Sequence, residues 1–179
     1  MLRNSARTLF TAPTRIAGTV GEHTGYLFLR SKTKPTEFPV KTPTTPLYSN
    51  LSLSLAPHKT LVNWAWYPEE PSSALENEEE SYEALLFDHE LGQIDIPHTI
   101  TNANWSEVVD NSVAGKLQPL DTDTIHLYVC THGARDCKCG DFGMVLVDAL
   151  RAEIQKRGGE AGRRVKVAEV GHVGGHKCV

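Results

Sequence analysis

Two stretches in the C-terminal third of the chain alternate between apolar and polar residues, as a β-strand with one buried face does. They are Ile125–Cys130 and Val165–Val170. Between them, apolar residues recur every three or four positions and predict a helix that begins near Asp141 and ends at Gly158. The predicted core face of this helix consists of Phe142, Val145, Leu146, Ala149, Leu150 and Ile154. A helical crossover normally joins parallel strands, so the loops that follow the two strands are expected at the same edge of a sheet.

The N-terminal part of the chain shows a weaker version of the same patterning. Thr24–Arg30 and Leu61–Tyr67 are β-branched and aromatic enough to predict strands. Tyr82–Phe87 and Asn104–Val113 predict a short strand and a short helix. The segment Ser31–Pro46 is rich in Pro, Thr and Lys and predicts an extended surface connection. These patterns predict an α/β protein.

Charge patterning divides the chain further. Residues 1–21 contain three arginines and no acid, as mitochondrial presequences do, so we expect a mitochondrial protein; a cytoplasmic one with a disordered tail is the alternative. Residues 68–83 contain seven glutamates and predict a hydrated loop, with an electrostatic docking patch as the less favoured interpretation. We therefore expect an N-terminal region over 22–118 and a second domain over 119–179.

Composition removes several classes of function. The chain of 179 residues is 40% hydrophobic, which suffices for a core, and its formal net charge of −4 argues against a nucleic-acid partner. Its apolar runs are far shorter than the roughly 18 to 20 residues that span a bilayer. We find neither a phosphate-cradling glycine loop nor a nucleophile–base pair, so catalysis on a bound small molecule has no support in the sequence.

The candidate chemistry lies in the two C-terminal loops. Cys137 and Cys139 follow the first strand, and His172 and His176 follow the second, so all four side chains are expected at one sheet edge. Two thiolates and two imidazoles suit tetrahedral Zn²⁺ or a [2Fe–2S] cluster in which histidines replace cysteines. Structural zinc sites usually separate cysteines by two to four residues, so the single intervening residue favours iron. A reactive thiol pair that reduces disulfides is the third possibility.

Neighbouring residues receive simpler interpretations. Cys130 is expected to be a small buried side chain, His126 a core or surface histidine, and Cys178 incidental. His132 and Arg135 either donate to the metal group or shape the loop.

The start of the predicted helix is expected to point at the cysteine loop. Its unsatisfied backbone donors would stabilise thiolates and an anionic cluster. Asp136, Lys138 and Asp141 are expected beside the ligand residues, within reach of the ligand side chains.

Two motifs in these loops resemble a known family. VCTHGARDCKCGDFG (Val129–Gly143) and AEVGHVGGHK (Ala168–Lys177) resemble the sucrase/ferredoxin-like family, the thioredoxin-like ferredoxins of fungi and plants. The resemblance covers Ile125–Lys177 well and Thr24–Pro39 loosely. It implies a thioredoxin-like C-terminal domain.

The resemblance also implies a function and a ligand set. In the fungal members a Cys-x-Cys pair and two histidines hold a [2Fe–2S] cluster, which here implies Cys137, Cys139, His172 and His176. It further implies a redox protein as electron donor or acceptor, and a mitochondrial role in redox or thiol quality control. Members continue beyond HxGGHK with further strands and a helix, so the thioredoxin-like domain is expected to be incomplete. The oligomeric state is left open.

Overall fold

Strands of one mixed sheet form the body of the protein. The structure, a computed structural model, describes residues 22–68 and 80–173. The strands within these ranges are β1 Gly25–Arg30, β2 Thr60–Trp66, β3 Ser81–Asp88, β4 Gly92–Ile94, β5 Thr99–Thr101, β6 Ile125–Cys130 and β7 Val165–Val170. Their spatial order is β4-β3-β1-β2-β7-β6, and β5 also pairs with β3. The α-helices of the same ranges are α1 Pro46–Leu55, α2 Trp105–Val113, α3 Met144–Arg157 and α4 Gly159–Arg163.

The predicted fold class is confirmed. The protein is mixed α/β, consistent with a thioredoxin-like fold, and each of the five predicted strands is present. β6 and β7 are parallel, in register from Ile125 with Val165 to Cys130 with Val170. The loops that follow them therefore leave the sheet at one edge, as predicted. The domain boundary between 118 and 119 stays a prediction.

The sheet is strongly curled. The rings of Phe28 on β1 and Tyr128 on β6 stack with centroids 3.8 Å apart, although two strands lie between them. Three strand spacings would span about 14 Å in a flat sheet. Fully buried Ala65 and Ala168 lie on the intervening strands, and their small side chains leave room for the two rings. The concave face thus holds an aromatic core, which also packs against Cys130.

The convex face carries the helices. Helices α1 and α2 pack on β1 and β2 through a cluster that includes Leu29, Leu51 and Trp64. Helix α3 packs on β6 and β7 through Val147, with Leu150 and Ile154 partly buried beside it. The main sequence signal for α1 is the leucine spacing 47, 51 and 55, which places these three buried residues on one helix face.

The connection before α1 differs from its prediction as an extended surface segment. It forms a 3₁₀ turn at Pro35–Glu37, and Pro35 and Phe38 are buried. It ends at Thr45, whose side chain accepts from the backbone N–H of Tyr48 and caps α1. A composition rich in proline and threonine describes the local backbone but not the surface on which the segment packs.

The predicted start of the third helix is wrong, and its predicted core face is correct only in part. A π-helical turn over Cys139–Gly143 precedes α3, and Asp141 does not cap the helix. Phe142, Val145 and Leu146 are exposed, whereas Leu150 and Ile154 of the predicted face pack beside fully buried Val147. Val147, Leu150 and Ile154 follow one another at three- and four-residue steps within α3, so they form a single helix face, and this face packs on β6 and β7.

Some predictions concern residues outside the described ranges. Residues 1–21 and 69–79 lie outside them, so the presequence and most of the acidic loop stay predictions. Glu83 belongs to β3 instead of the loop, and its carboxylate is buried beside the Arg30 guanidinium, with 3.7 Å between charged atoms. Gly159–Arg163, between α3 and β7, form the short helix α4. Among the residues described, no helix is both long and apolar enough to span a membrane.

Candidate metal centre

The two loops at the carboxyl ends of β6 and β7 face each other across the sheet edge. The backbone N–H of Thr131 donates to the carbonyl of Val170, which joins the two strand ends. The first loop then folds back through two tight turns, in which the N–H of Cys139 donates to the carbonyl of Asp136. The second loop turns at Gly171, whose carbonyl accepts from the Asn63 side chain on β2.

Three potential metal ligands converge between these loops. The sulfur atoms of Cys130 and Cys139 and a ring nitrogen of His172 all lie within 4.8 Å of one another. The Cys139 Sγ and His172 Nδ1 atoms are 3.7 Å apart. Two ligands of one tetrahedral metal, with bonds of about 2.3 Å to sulfur and 2.05 Å to nitrogen, are separated by about 3.6 Å. This pair of atoms therefore already has the spacing that a shared metal ion requires.

The predicted ligands are distributed unevenly. Cys139 and His172 come together, with Cys139 buried at 6% exposure. Cys137 is exposed and lies outside the three-residue group, although its charge acts on the Cys139 thiol. His176 falls beyond the described residues.

Cys130 is the member of the group that sequence reasoning assigned to simple packing. Its side chain lies on the concave face of β6, at the last residue of the strand, so it faces the returning loop. A thiol at the carboxyl end of a strand, directly before a glycine-containing loop with two more cysteines, was the signal available for it.

Close backbone contacts hold the first loop against the strand end. A Cβ atom at Gly143 would lie 2.1 Å from the carbonyl oxygen of Cys130. Gly133 and Gly140 also approach closely, since a Cβ on either would lie 2.9 Å from the Cα of the other. Glycine at these positions lets the π-turn approach β6 and brings Cys139 to Cys130.

The Cys139 thiol is protonated in the metal-free protein at neutral pH. Burial raises its pKa to about 12, and a hydrogen bond with Cys130 and the negative charge of Asp136 act in the same direction. The expectation that the helix start stabilises a metal-bound thiolate and an anionic cluster stays a prediction.

Most of the chain, including both loops, is similar to a known protein family. A family model described as sucrase/ferredoxin-like matches residues 16–178, a range that contains both loops. The chain belongs to the sucrase/ferredoxin-like family. No curated protein and no solved structure matches it significantly.

In this sucrase/ferredoxin-like protein a buried ion pair supports the cysteine loop. Glu169 on β7 is 1% exposed and accepts from Arg151 of α3 at 3.2 Å. It also accepts from the Thr131 hydroxyl at 3.1 Å. One carboxylate thereby joins the helix, the strand and the first residue of the loop.

His132 and Arg135, for which the sequence allowed either contact with the metal group or a role in shaping the loop, differ in burial. His132 is fully buried between the two loops and the 31–45 connection, and its Nε2 lies 2.7 Å from the carbonyl oxygen of Pro39. Arg135 is exposed. Asp136 shapes the loop, because its side chain accepts from the backbone N–H of Lys138.

Proposed function

We propose that this protein binds a [2Fe–2S] cluster at the meeting point of the two loops and transfers electrons to or from a redox protein. The observation that carries the proposal is the 3.7 Å separation of Cys139 Sγ and His172 Nδ1, a sulfur and an imidazole donor contributed by different strand ends. Sulfur and imidazole donors in tetrahedral arrangement suit Fe–S or zinc centres. Membership of the sucrase/ferredoxin-like family favours iron over zinc.

The second thiolate has two candidates. The family resemblance implied Cys137, whereas the geometry favours Cys130, whose sulfur lies with those of the other two residues. We propose Cys130, Cys139 and His172 as ligands, with His176 as the fourth. Cys137 is then an exposed thiol beside the centre.

A bound [2Fe–2S] cluster supplies one-electron redox chemistry, and imidazole ligands raise its potential above that of four-cysteine clusters. The protein residues bind it and restrict solvent. Cys139 must release a proton to bind metal, so uptake is expected to be favoured at higher pH. The Glu169 ion pair keeps the loop in place without contacting the ligand atoms.

Four single variants of the full chain test the ligand set. The wild-type protein, purified without oxygen, should be coloured, contain iron and sulfide, and give an electron paramagnetic resonance signal after reduction. Cys130→Ser, Cys139→Ser and His172→Ala should lose iron or shift the spectrum. Cys137→Ser is the matched control and should retain both. Loss of the cluster in Cys137→Ser with retention in Cys130→Ser would reverse the choice of second thiolate.

Zinc is the alternative that the donor set favours next, because Cys and His ligands suit it equally well. Such a centre would stabilise a protein-interaction module. Metal analysis separates the two, since a zinc protein is colourless and free of sulfide. A wild-type protein that binds zinc stoichiometrically and cannot be loaded with iron and sulfide would refute the electron-transfer proposal.

Thiol–disulfide exchange is the remaining alternative. The adjacency of Cys130 and Cys139 is the observation that favours it, because a cluster-free protein would hold two thiols close together. Stoichiometric reduction of a disulfide by the metal-free protein, abolished in Cys139→Ser, would support this activity.

We also propose a mitochondrial location, on the composition of residues 1–21. The full chain with a C-terminal fluorescent tag should enter mitochondria. Replacement of Arg3, Arg7 and Arg15 by Gln should leave it in the cytoplasm. Equal cytoplasmic fluorescence of both proteins would contradict the proposal.

A further inference from the structure

His132 contacts both parts of the chain that surround His172. Its ring is fully buried and packs edge-on against Phe38, with 5.6 Å between ring centroids. Its Nδ1 accepts from the backbone N–H of His172 at 3.4 Å, and its Nε2 lies 2.7 Å from the carbonyl oxygen of Pro39. A single imidazole therefore bridges the metal-binding loop and the connection that precedes α1.

The two partners determine the tautomer of this ring. A backbone N–H can only donate, so Nδ1 of His132 must be the acceptor. A carbonyl oxygen can only accept, so Nε2 must carry the proton. Both ring nitrogens are thus used by backbone groups, and neither is available to bind a metal.

We propose that His132 is a positioning residue of the metal centre, which holds the backbone of His172 at the distance from Cys139 that metal binding requires. This inference rests on the proposed function, because it takes His172 as a ligand. The connection containing Phe38 and Pro39 is then part of the scaffold of the centre, although it lies more than ninety positions earlier in the chain.

A hydrogen bond from Asn63 also restrains the backbone next to His172. The carbonyl of Gly171 accepts from the Asn63 side chain at 2.9 Å, directly before the N–H that His132 accepts. A Cβ at Gly171 would lie 2.7 Å from Asn63 Oδ1 and 3.7 Å from the Phe38 ring. The peptide between Gly171 and His172 is therefore held on both sides, which limits where the His172 ring can go.

Two substitutions separate the two hydrogen bonds of His132. In His132→Asn the side-chain oxygen can take the place of Nδ1 and accept from His172, but the side chain is too short to reach Pro39. In His132→Gln the amide nitrogen can take the place of Nε2 and donate to Pro39, but no acceptor remains for His172. His126→Asn and His126→Gln are matched controls, since His126 lies on β6, four residues or about 13 Å before Cys130.

The measurements use the full chain. Affinity for Co²⁺ is read from its visible ligand-field bands, and the cluster from electron paramagnetic resonance after loading with iron and sulfide. Loss of a residue that orients a metal ligand typically lowers metal affinity by about 10- to 100-fold. We expect a loss of this size in His132→Gln and a clearly smaller one in His132→Asn. Both His126 variants should match the wild type.

Hydrogen exchange at the His172 amide is a second measurement, and it needs no metal. In the metal-free protein, the amide hydrogen of His172 should exchange with solvent faster in His132→Gln than in the wild type or in His132→Asn. The thermal unfolding midpoint of each metal-free variant shows whether it folds. If His132→Gln fails to fold, the nitrogen chemical shifts of the His132 ring in the wild-type protein still decide the question. An unprotonated Nδ1 with a protonated Nε2 is expected, and a protonated Nδ1 overturns the inference.

The outcomes distinguish the inference from the proposed function. Equal Co²⁺ affinity and equal His172 exchange in His132→Gln and the wild type overturn the role of His132 while the cluster assignment stands. A wild-type protein that binds neither Co²⁺ nor iron overturns both. A metal affinity that falls clearly more in His132→Gln than in His132→Asn, together with faster His172 exchange in His132→Gln alone, supports the inference.

Discussion

Gly143→Ala is the substitution for which the structure predicts the sharpest effect. A Cβ at this position would lie 2.1 Å from the Cys130 carbonyl oxygen and 3.2 Å from its carbonyl carbon. Contacts of a real Cβ are essentially never shorter than 3.0 Å, so the π-turn and the end of β6 must separate by about 0.9 Å or more. Both neighbours are backbone, which cannot rotate away as a side chain would.

This displacement has two expected consequences. Forcing an extra methyl group into a packed site costs about 1–3 kcal/mol in the free energy of unfolding. The separation also moves the Cys130 and Cys139 sulfur atoms apart, and metal affinity should fall by about 10- to 100-fold, as it does when a supporting group is lost. Urea unfolding of the metal-free protein measures the first effect, and Co²⁺ titration measures the second.

Gly115→Ala is the control for adding a methyl group at a glycine. Gly115 lies after α2 at a φ of 62° with no atom near its Cβ position, so the left-handed backbone conformation costs about 1–2 kcal/mol. Its metal affinity should equal that of the wild type. If Gly143→Ala has wild-type affinity for Co²⁺, the close contact does not hold the two thiols together and the account of the site fails.

Three further predictions concern single side chains. In the metal-free protein, the thiolate fraction of Cys139 at pH 8 is about 10⁻⁴ for a pKa of about 12, so its alkylation should accelerate about tenfold per pH unit; mass spectrometry of Cys137→Ser measures this, and a pH-independent rate would contradict it. Val147→Ala should lower the free energy of unfolding by about 2–3 kcal/mol, whereas exposed Val145→Ala should change it by less than about 0.5 kcal/mol; equal losses would contradict the observed helix face. Burial raises the pKa of Tyr128, so the native state retains the phenol proton and loses stability relative to Tyr128→Phe as the pH rises above about 10. A difference in unfolding free energy that stays constant from pH 7 to 11 would show that this phenol is not desolvated.

The sequence by itself determined the chain segments that form the sheet edge and the loops that leave it. Alternation in Ile125–Cys130 and Val165–Val170, with a helix-length segment between them, suffices because a crossover through a helix makes such strands parallel. Parallel strands bring their following loops to one edge, so the approach of Cys139 and His172 was predictable. The cysteines and histidines in those loops then limited the chemistry to metal binding or thiol–disulfide exchange.

Only the tertiary structure decided which groups meet at that edge. Cys130 joins Cys139 because a π-turn and glycine contacts bring the loop back onto the strand end, and neither feature leaves a periodic signal. His132 and Pro39 are adjacent although they are distant in sequence. The physical reason is that periodicity reports which side chains share a face of one element, whereas the groups opposite that face depend on sheet curvature and on packing with the rest of the chain.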